Sequence, residues 1–260
     1  MRRLARVLRD VAILAALVLP VVGVAPQQAS SARDLRYQPI GYWNGKKIYL
    51  SPSRHLSGPG DRGECGNRSE DYMAFGSAWY ATNGVYFDDH RAPRNQYRNL
   101  RSRHYKVRIS RGTIQTAIYR SNAWASTRHI PIHSNAVPPY PNHCANTDKT
   151  RWGTIGIYAV NDVQGVKGKD LATKLKDAIG KRDDRGLRIS PGTNDHICIN
   201  PGDPCTTINL GELHGMDMPA AYMEMEFHTW QKGYNWVATS EPRSWRIGWG
   251  VDWHLGWPRR

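Results

Sequence analysis

The stretch RHIPIHSNA, residues 128–136, carries Ile130 and Ile132 in an apolar run closed by Ser134 and Asn135. That composition is that of a buried strand, and His133 stands at its end. Four other runs read the same way: KKIYLSP (46–52), HYKVRIS (104–110), WGTIGIYAV (152–160) and AAYMEMEF (220–227). Each is bounded by Pro, Gly, Asn or Ser, the residues that interrupt extended chain. Between them, SEDYMAFGSAWYATNGV (69–85) and GKDLATKLKDAIGKR (168–182) place apolar residues at helical spacing. In the second, Leu171, Leu175 and Ile179 share one face and Gly180 stands near the end. Strands alternating with helices predict an α/β sheet. Ligand sites in such sheets gather where strand ends meet loops, and His133 and Glu224 fall at or near such ends.

Outward from this core, the N-terminus reads as an export signal. Arg2, Arg3, Arg6 and Arg9 precede the apolar run VAILAALVLPVVGVA (11–25), and a cut after Ala32 would leave Ser30 and Ala32 as the small residues at the cleavage site. The run falls short of the roughly 20 residues a membrane span needs. The expected boundaries are a signal peptide over 1–32, a loosely held lead-in over 33–45 and one catalytic domain over 46–260. No internal repeat divides the last of these. Losing residues 1–32 removes four arginines and Asp10, which lowers the formal charge of +14 by three, to +11. So basic a chain points to an anionic partner, and export favours a membrane face or an anionic wall polymer over nucleic acid. Cys65, Cys144, Cys198 and Cys205 form an even set, as expected of disulfides in an exported protein. Cys198 and Cys205 bracket the turn-rich INPGDP, which favours that pair together with Cys65–Cys144. No CxxC spacing supports a cysteine zinc site.

Ten histidines are present, and spacing selects among them. His55 follows YLSPS at the end of one expected strand and His133 ends another, so both imidazoles can project from one rim of a sheet. Glu70 opens the helix after the long loop LSGPGDRGECGNRS (56–69). Two histidines and a carboxylate suit Zn2+, with a fourth position left for water. Neither a GxSxG elbow nor an HExxH helix is present.

The order of these segments resembles the zinc-dependent N-acetylmuramoyl-L-alanine amidases. YLSPSRH (49–55), SEDYMAF (69–75), IPIHSNA (130–136) and MPAAYMEMEF (218–227) follow that family's sequence order over residues 47 to about 230. The resemblance implies a mixed, mostly parallel sheet flanked by helices, with His55, Glu70 and His133 as zinc ligands and Glu224 as the catalytic carboxylate. It also implies hydrolysis of the amide between N-acetylmuramic acid and L-alanine in peptidoglycan, in a secreted, wall-associated enzyme. Leu56 and Ser57 stand where the family usually has two glycines, and Glu64 competes with Glu70 as ligand, close to Asp61 and Gly63. Glu226 replaces a usual glycine, and strand alternation puts it on the face of Glu224, so either could be the base. Glu226 could instead pair with an arginine.

Trp230, Trp236, Trp245, Trp249, Trp253 and Trp257 crowd the C-terminus. They are expected to pack over the sheet, with WRIGWGVDWHL (245–255) alternating as a strand would, ahead of glycan stacking. The rival to an enzyme is a non-catalytic wall-binding protein on the same fold.

Overall fold

All five runs expected as strands are strands in the computed structural model of the protein. It describes residues 32–54, 65–66, 68–84, 99–135, 153–159, 165–180, 191–193, 210–229, 231–238 and 246–257. The five are β2 (Lys47–Pro52), β3 (Lys106–Ile109), β4 (Arg128–Asn135), β5 (Ile155–Tyr158) and β7 (Tyr222–Phe227). The short strands β1 (Leu35–Tyr37) and β6 (Pro191–Thr193) complete a sheet of order β1-β3-β2-β4-β7-β5-β6. Pairings β2–β3, β2–β4, β4–β7 and β5–β6 are parallel, whereas β1–β3 and β5–β7 are antiparallel. The sheet is therefore mixed and mostly parallel, as expected.

Both expected helices are present, as α1 (Glu70–Asn83) and α3 (Gly165–Gly180). Leu171, Leu175 and Ile179 of α3 are buried as their spacing requires. Among the described residues four further helices form: α2 (Ile114–Ala123), α4 (Gly211–His214), α5 (Gln231–Ala238) and α6 (Arg246–His254). Alternation along the strands sorts the core. Ile48 and Leu50 of β2 and Ile130 and Ile132 of β4 join the larger cluster with α1, α3, α5 and α6. A smaller cluster on Tyr222 and Phe227 gathers Leu213 of α4 and Ile118 of α2.

Two expectations do not hold. Residues 33–45 are tied down rather than loose, because Leu35 and Tyr37 pack on the core and Leu35–Tyr37 pairs antiparallel with β3. Within the stretch 245–255, Arg246–His254 is a helix rather than a strand, since Ile247, Gly250, Val251 and His254 share a helical face as readily as alternate residues share a strand face. A Cβ on Gly250 would lie 2.7 Å from Leu175 Cα, so only glycine allows α6 so close to α3. Packing does hold for the tail: Trp236 is buried and Trp257 stacks on Tyr105 at 5.5 Å. Trp230 and Trp245 lie outside the described residues.

Asp252 of α6 is buried, paired with Arg103, and accepts a hydrogen bond from Tyr105 Oη at 2.7 Å. Asp252→Ala would remove the buried carboxylate that faces the Arg103 guanidinium and Tyr105 Oη, so a stability loss of about 3–5 kcal/mol is expected by urea unfolding. A loss smaller than about 1 kcal/mol would mean that water already screens the pair.

Candidate active site

From β2 the chain passes through α1 to β3 on one side, then returns through α2 to β4 on the other side of β2. The crossovers diverge between β2 and β4, and such a switch point opens a crevice at the carboxyl ends of the strands. Ser53, two residues before His55, donates its N–H to Ile132 O (2.8 Å), one residue before His133. His55 itself lies outside the described residues, as do Asp61, Gly63 and Glu64.

Glu70 is placed by a helix start. Ser69 is extended (φ −71°, ψ 161°) and its side chain accepts from Tyr72 N, capping α1. An acidic first residue there also meets the positive end of the helix dipole. Met73, Ala74 and Ala78 hold α1 on the sheet, so Glu70 reaches over the end of β4. It is 5% exposed. Its Oε1 accepts from Ser134 N at 3.2 Å and is hydrogen-bonded to His133 Nδ1 at 3.0 Å.

Residues on the other face of β4 fix the His133 ring. It stacks on Tyr222, with centroids 4.3 Å apart and planes at 20°. Glu212 of α4 presents Oε2 at 3.7 Å from His133 Nε2 and Oε1 at 3.4 Å from His129 Nε2. His129 Nδ1 is bonded in turn to Ser121 Oγ of α2 (3.0 Å), and Tyr49 stacks on the ring. Glu224 faces His133 directly across the β4–β7 pairing. The residue is half-buried, yet its Oε2 is sealed from solvent without a hydrogen-bond partner among the described residues.

Charge is concentrated here. Burial alone would lower the pKa of His133, but the hydrogen-bonding carboxylates of Glu212 and Glu70 override it and hold it at about 10. Burial pushes Glu224 up to about 8, opposed by His133 and assisted by the negative charge of Glu70. Glu212 is held at about 2 by His129 and His133 despite its burial. Three carboxylates thus converge on one imidazole, a setting that favours added positive charge.

Divalent zinc fits this setting in part. Two ligands at roughly 2.0–2.1 Å in a tetrahedron stand about 3.3 Å apart, close to the Glu70–His133 separation of 3.0 Å. Glu224 Oε2 adds an orphaned buried oxygen opposite that pair. Among the described residues no group of three His, Cys, Asp or Glu side chains is arranged to hold a metal ion, and of the three expected ligands Glu70 and His133 are brought together.

Glu226 is not the equal of Glu224. The register slips between the His133–Glu224 and Asn135–Phe227 pairs, where two steps on β4 match three on β7. This bulge breaks the expected alternation, and Tyr222 and Phe227, five residues apart, accordingly share one cluster. The Glu226 carboxylate accepts from Gly153 N (2.7 Å) and Phe227 N (2.8 Å), a main-chain role. Glu212, His129 and Tyr222 escaped the sequence reading. Glu212 lies in NLGELHG, where no strand, helix spacing or motif singles it out, and only the fold carries it to His133.

Cys65 is disulfide-bonded, and Cys144, Cys198 and Cys205 lie outside the described residues. Among the described residues no helix is long and apolar enough to cross a membrane. No family model and no curated protein matches the sequence. Solved structures do match. An N-acetylmuramoyl-L-alanine amidase from Clostridium difficile 630 is 17% identical with a TM-score of 0.55, over 82% of this chain and 98% of that one. The amidase AmiC2 of Nostoc punctiforme is 13% identical with a TM-score of 0.56, over 81% and 97%. Ami1 from Mycobacterium smegmatis is 12% identical with a TM-score of 0.54, over 83% and 99%. At these identities the likeness establishes the fold.

Proposed function

We propose that the chain is a zinc-dependent hydrolase of the amide between N-acetylmuramic acid and L-alanine in peptidoglycan, exported by its first 32 residues and acting at the cell wall. The observation that carries this reading is the buried Glu70–His133 pair at the switch point, with Glu224 facing it from the next strand. The wall-amidase fold of the structural neighbours supports it. His55, Glu70 and His133 would hold the ion. Zinc in such a site supplies Lewis acidity to a carbonyl and lowers the pKa of water toward neutrality.

The chain's own residues do the rest. Glu70, anchored by Ser134 N, and Glu212, on the far edge of the ring, fix the plane of His133. Glu224 takes the proton of the attacking water and returns it to the departing amine as the C–N bond breaks. In the metal-free protein, burial and the negative charge of Glu70 raise its carboxyl above the ordinary range, which lets it hold the proton between the two halves of that transfer. The enclosing Tyr222 ring and the buried faces of β4 and β7 limit competing water.

Purified protein should contain close to one zinc per chain and release L-alanine amino groups from peptidoglycan, and a chelator should stop that release until zinc is restored. A metal-free protein that binds wall and frees no amino groups with zinc added is instead a binding module.

A further inference from the structure

Separate from Glu70, His133 and Glu224, a cavity of about 560 Å³ opens beside β1. Arg33, Asp34, Arg36, Arg108, Arg120 and Trp124 are among its lining residues. Four guanidinium groups thus face one carboxylate, a net lining charge of +3. That carboxylate is already engaged: Asp34 accepts from Tyr49 Oη at 2.9 Å and from Arg120 Nη1 at 2.8 Å.

The pairing of the remaining arginines breaks a rule of sheet construction. Arg36 of β1 and Arg108 of β3 stand directly opposite each other in the antiparallel register. Like charges so placed destabilise a sheet. Arg108 stacks over Trp124 with its guanidinium 4.3 Å from the ring centroid, a contact that steadies the cation without cancelling its charge, and Lys47 Nζ, 5.6 Å from the same ring, adds a further cation. Burial and the charge of Arg36 both lower the proton affinity of Arg108, against the smaller pull of Asp34 and Tyr49. A locally unfavourable arrangement held on rigid elements is the signature of a site whose partner is absent.

We propose that this cavity is a second binding site, which takes the phosphate groups of a flexible polyanion. Guanidinium forks match paired phosphate oxygens, and several of them in one concave wall suit charges repeated along a chain. A stiff nucleic-acid duplex can touch only the rim. The site does not depend on the hydrolase reading.

Calorimetry on the full protein with inorganic tripolyphosphate and with poly(glycerol phosphate) tests it. Binding of either probe is expected: preference for the polymer identifies an extended chain as the natural source, and preference for tripolyphosphate a free polyphosphate. Arg36→Gln removes one of the two opposed charges at an exposed position. It should weaken binding roughly tenfold or more, yet raise the Tm of the free protein by about 1–3 °C. A purely structural arginine would not move these two quantities in opposite senses. Glu224→Gln should leave phosphate binding unchanged, so failure of the amidase reading and failure of this one are told apart. The proposal is overturned if neither probe binds, if Arg36→Gln binds as tightly as the parent, or if duplex DNA at matched phosphate concentration binds as well as poly(glycerol phosphate).

Discussion

Glu224→Gln is expected to keep zinc and lose turnover. The substitution preserves the volume of a half-buried side chain and removes a carboxylate that sits beside His133 without bonding to it. Its amide cannot accept the proton of the attacking water, so kcat should fall by about 10²–10⁴, the range that a positioned general base contributes. Zinc content should stay at the parent level. Burial raises the Glu224 carboxyl to about 8 and so disfavours its ionised form, and a neutral amide there should leave folding stability equal or slightly higher. Single-turnover assays on peptidoglycan with zinc analysis of the same sample read both quantities. Full activity in this variant would dismiss Glu224 as the base, and loss of zinc would make it a ligand.

His133→Ala is expected to lose zinc and activity together, and stability as well. The imidazole lies between Glu70 and Glu212 at 2% exposure, so its removal leaves two buried carboxylates facing an empty ring position. Breaking a buried pair on one side costs about 3–5 kcal/mol, and here water entering the vacated space limits the loss to the lower end of that range. Activity should drop below detection, since Glu70 would be the sole described ligand left. Zinc competition against a chromophoric chelator, with thermal unfolding of the metal-free protein, separates the two losses. A His133→Ala protein that still holds zinc as tightly as the parent would remove His133 from the ligand set, whatever its activity.

These predictions draw on different kinds of information. Glu70 was legible because helix starts leave a local trace: a capping Ser69, an acidic first turn and the apolar period that follows. His133 was legible because it closes a β-branched run. Glu212 left no such trace. A four-residue helix has no period long enough to read, and its approach to His133 depends on where α2 and β7 lie. Glu226 shows the reverse failure. Alternation is reliable only while the ladder is regular, and a bulge toward the carboxyl end of β7 makes Glu226, read as either a base or an arginine partner, a main-chain anchor.

The sequence by itself determined five of the strands, the two long helices, their α/β order and the candidates His55, Glu70, His133 and Glu224, because each depends on residues adjacent along the chain. Tertiary structure alone decided the helical state of the tryptophan-rich tail, where 3.6- and 2-residue periods both fit and the face of α3 settled the choice. It also decided the edge strand at Leu35–Tyr37, the facing of Arg36 and Arg108, and the convergence of Glu70, Glu212 and Glu224 on one imidazole. Those are contacts between residues from about 60 to 90 positions apart, and the burial that sets their charge exists only once the sheet has closed over them.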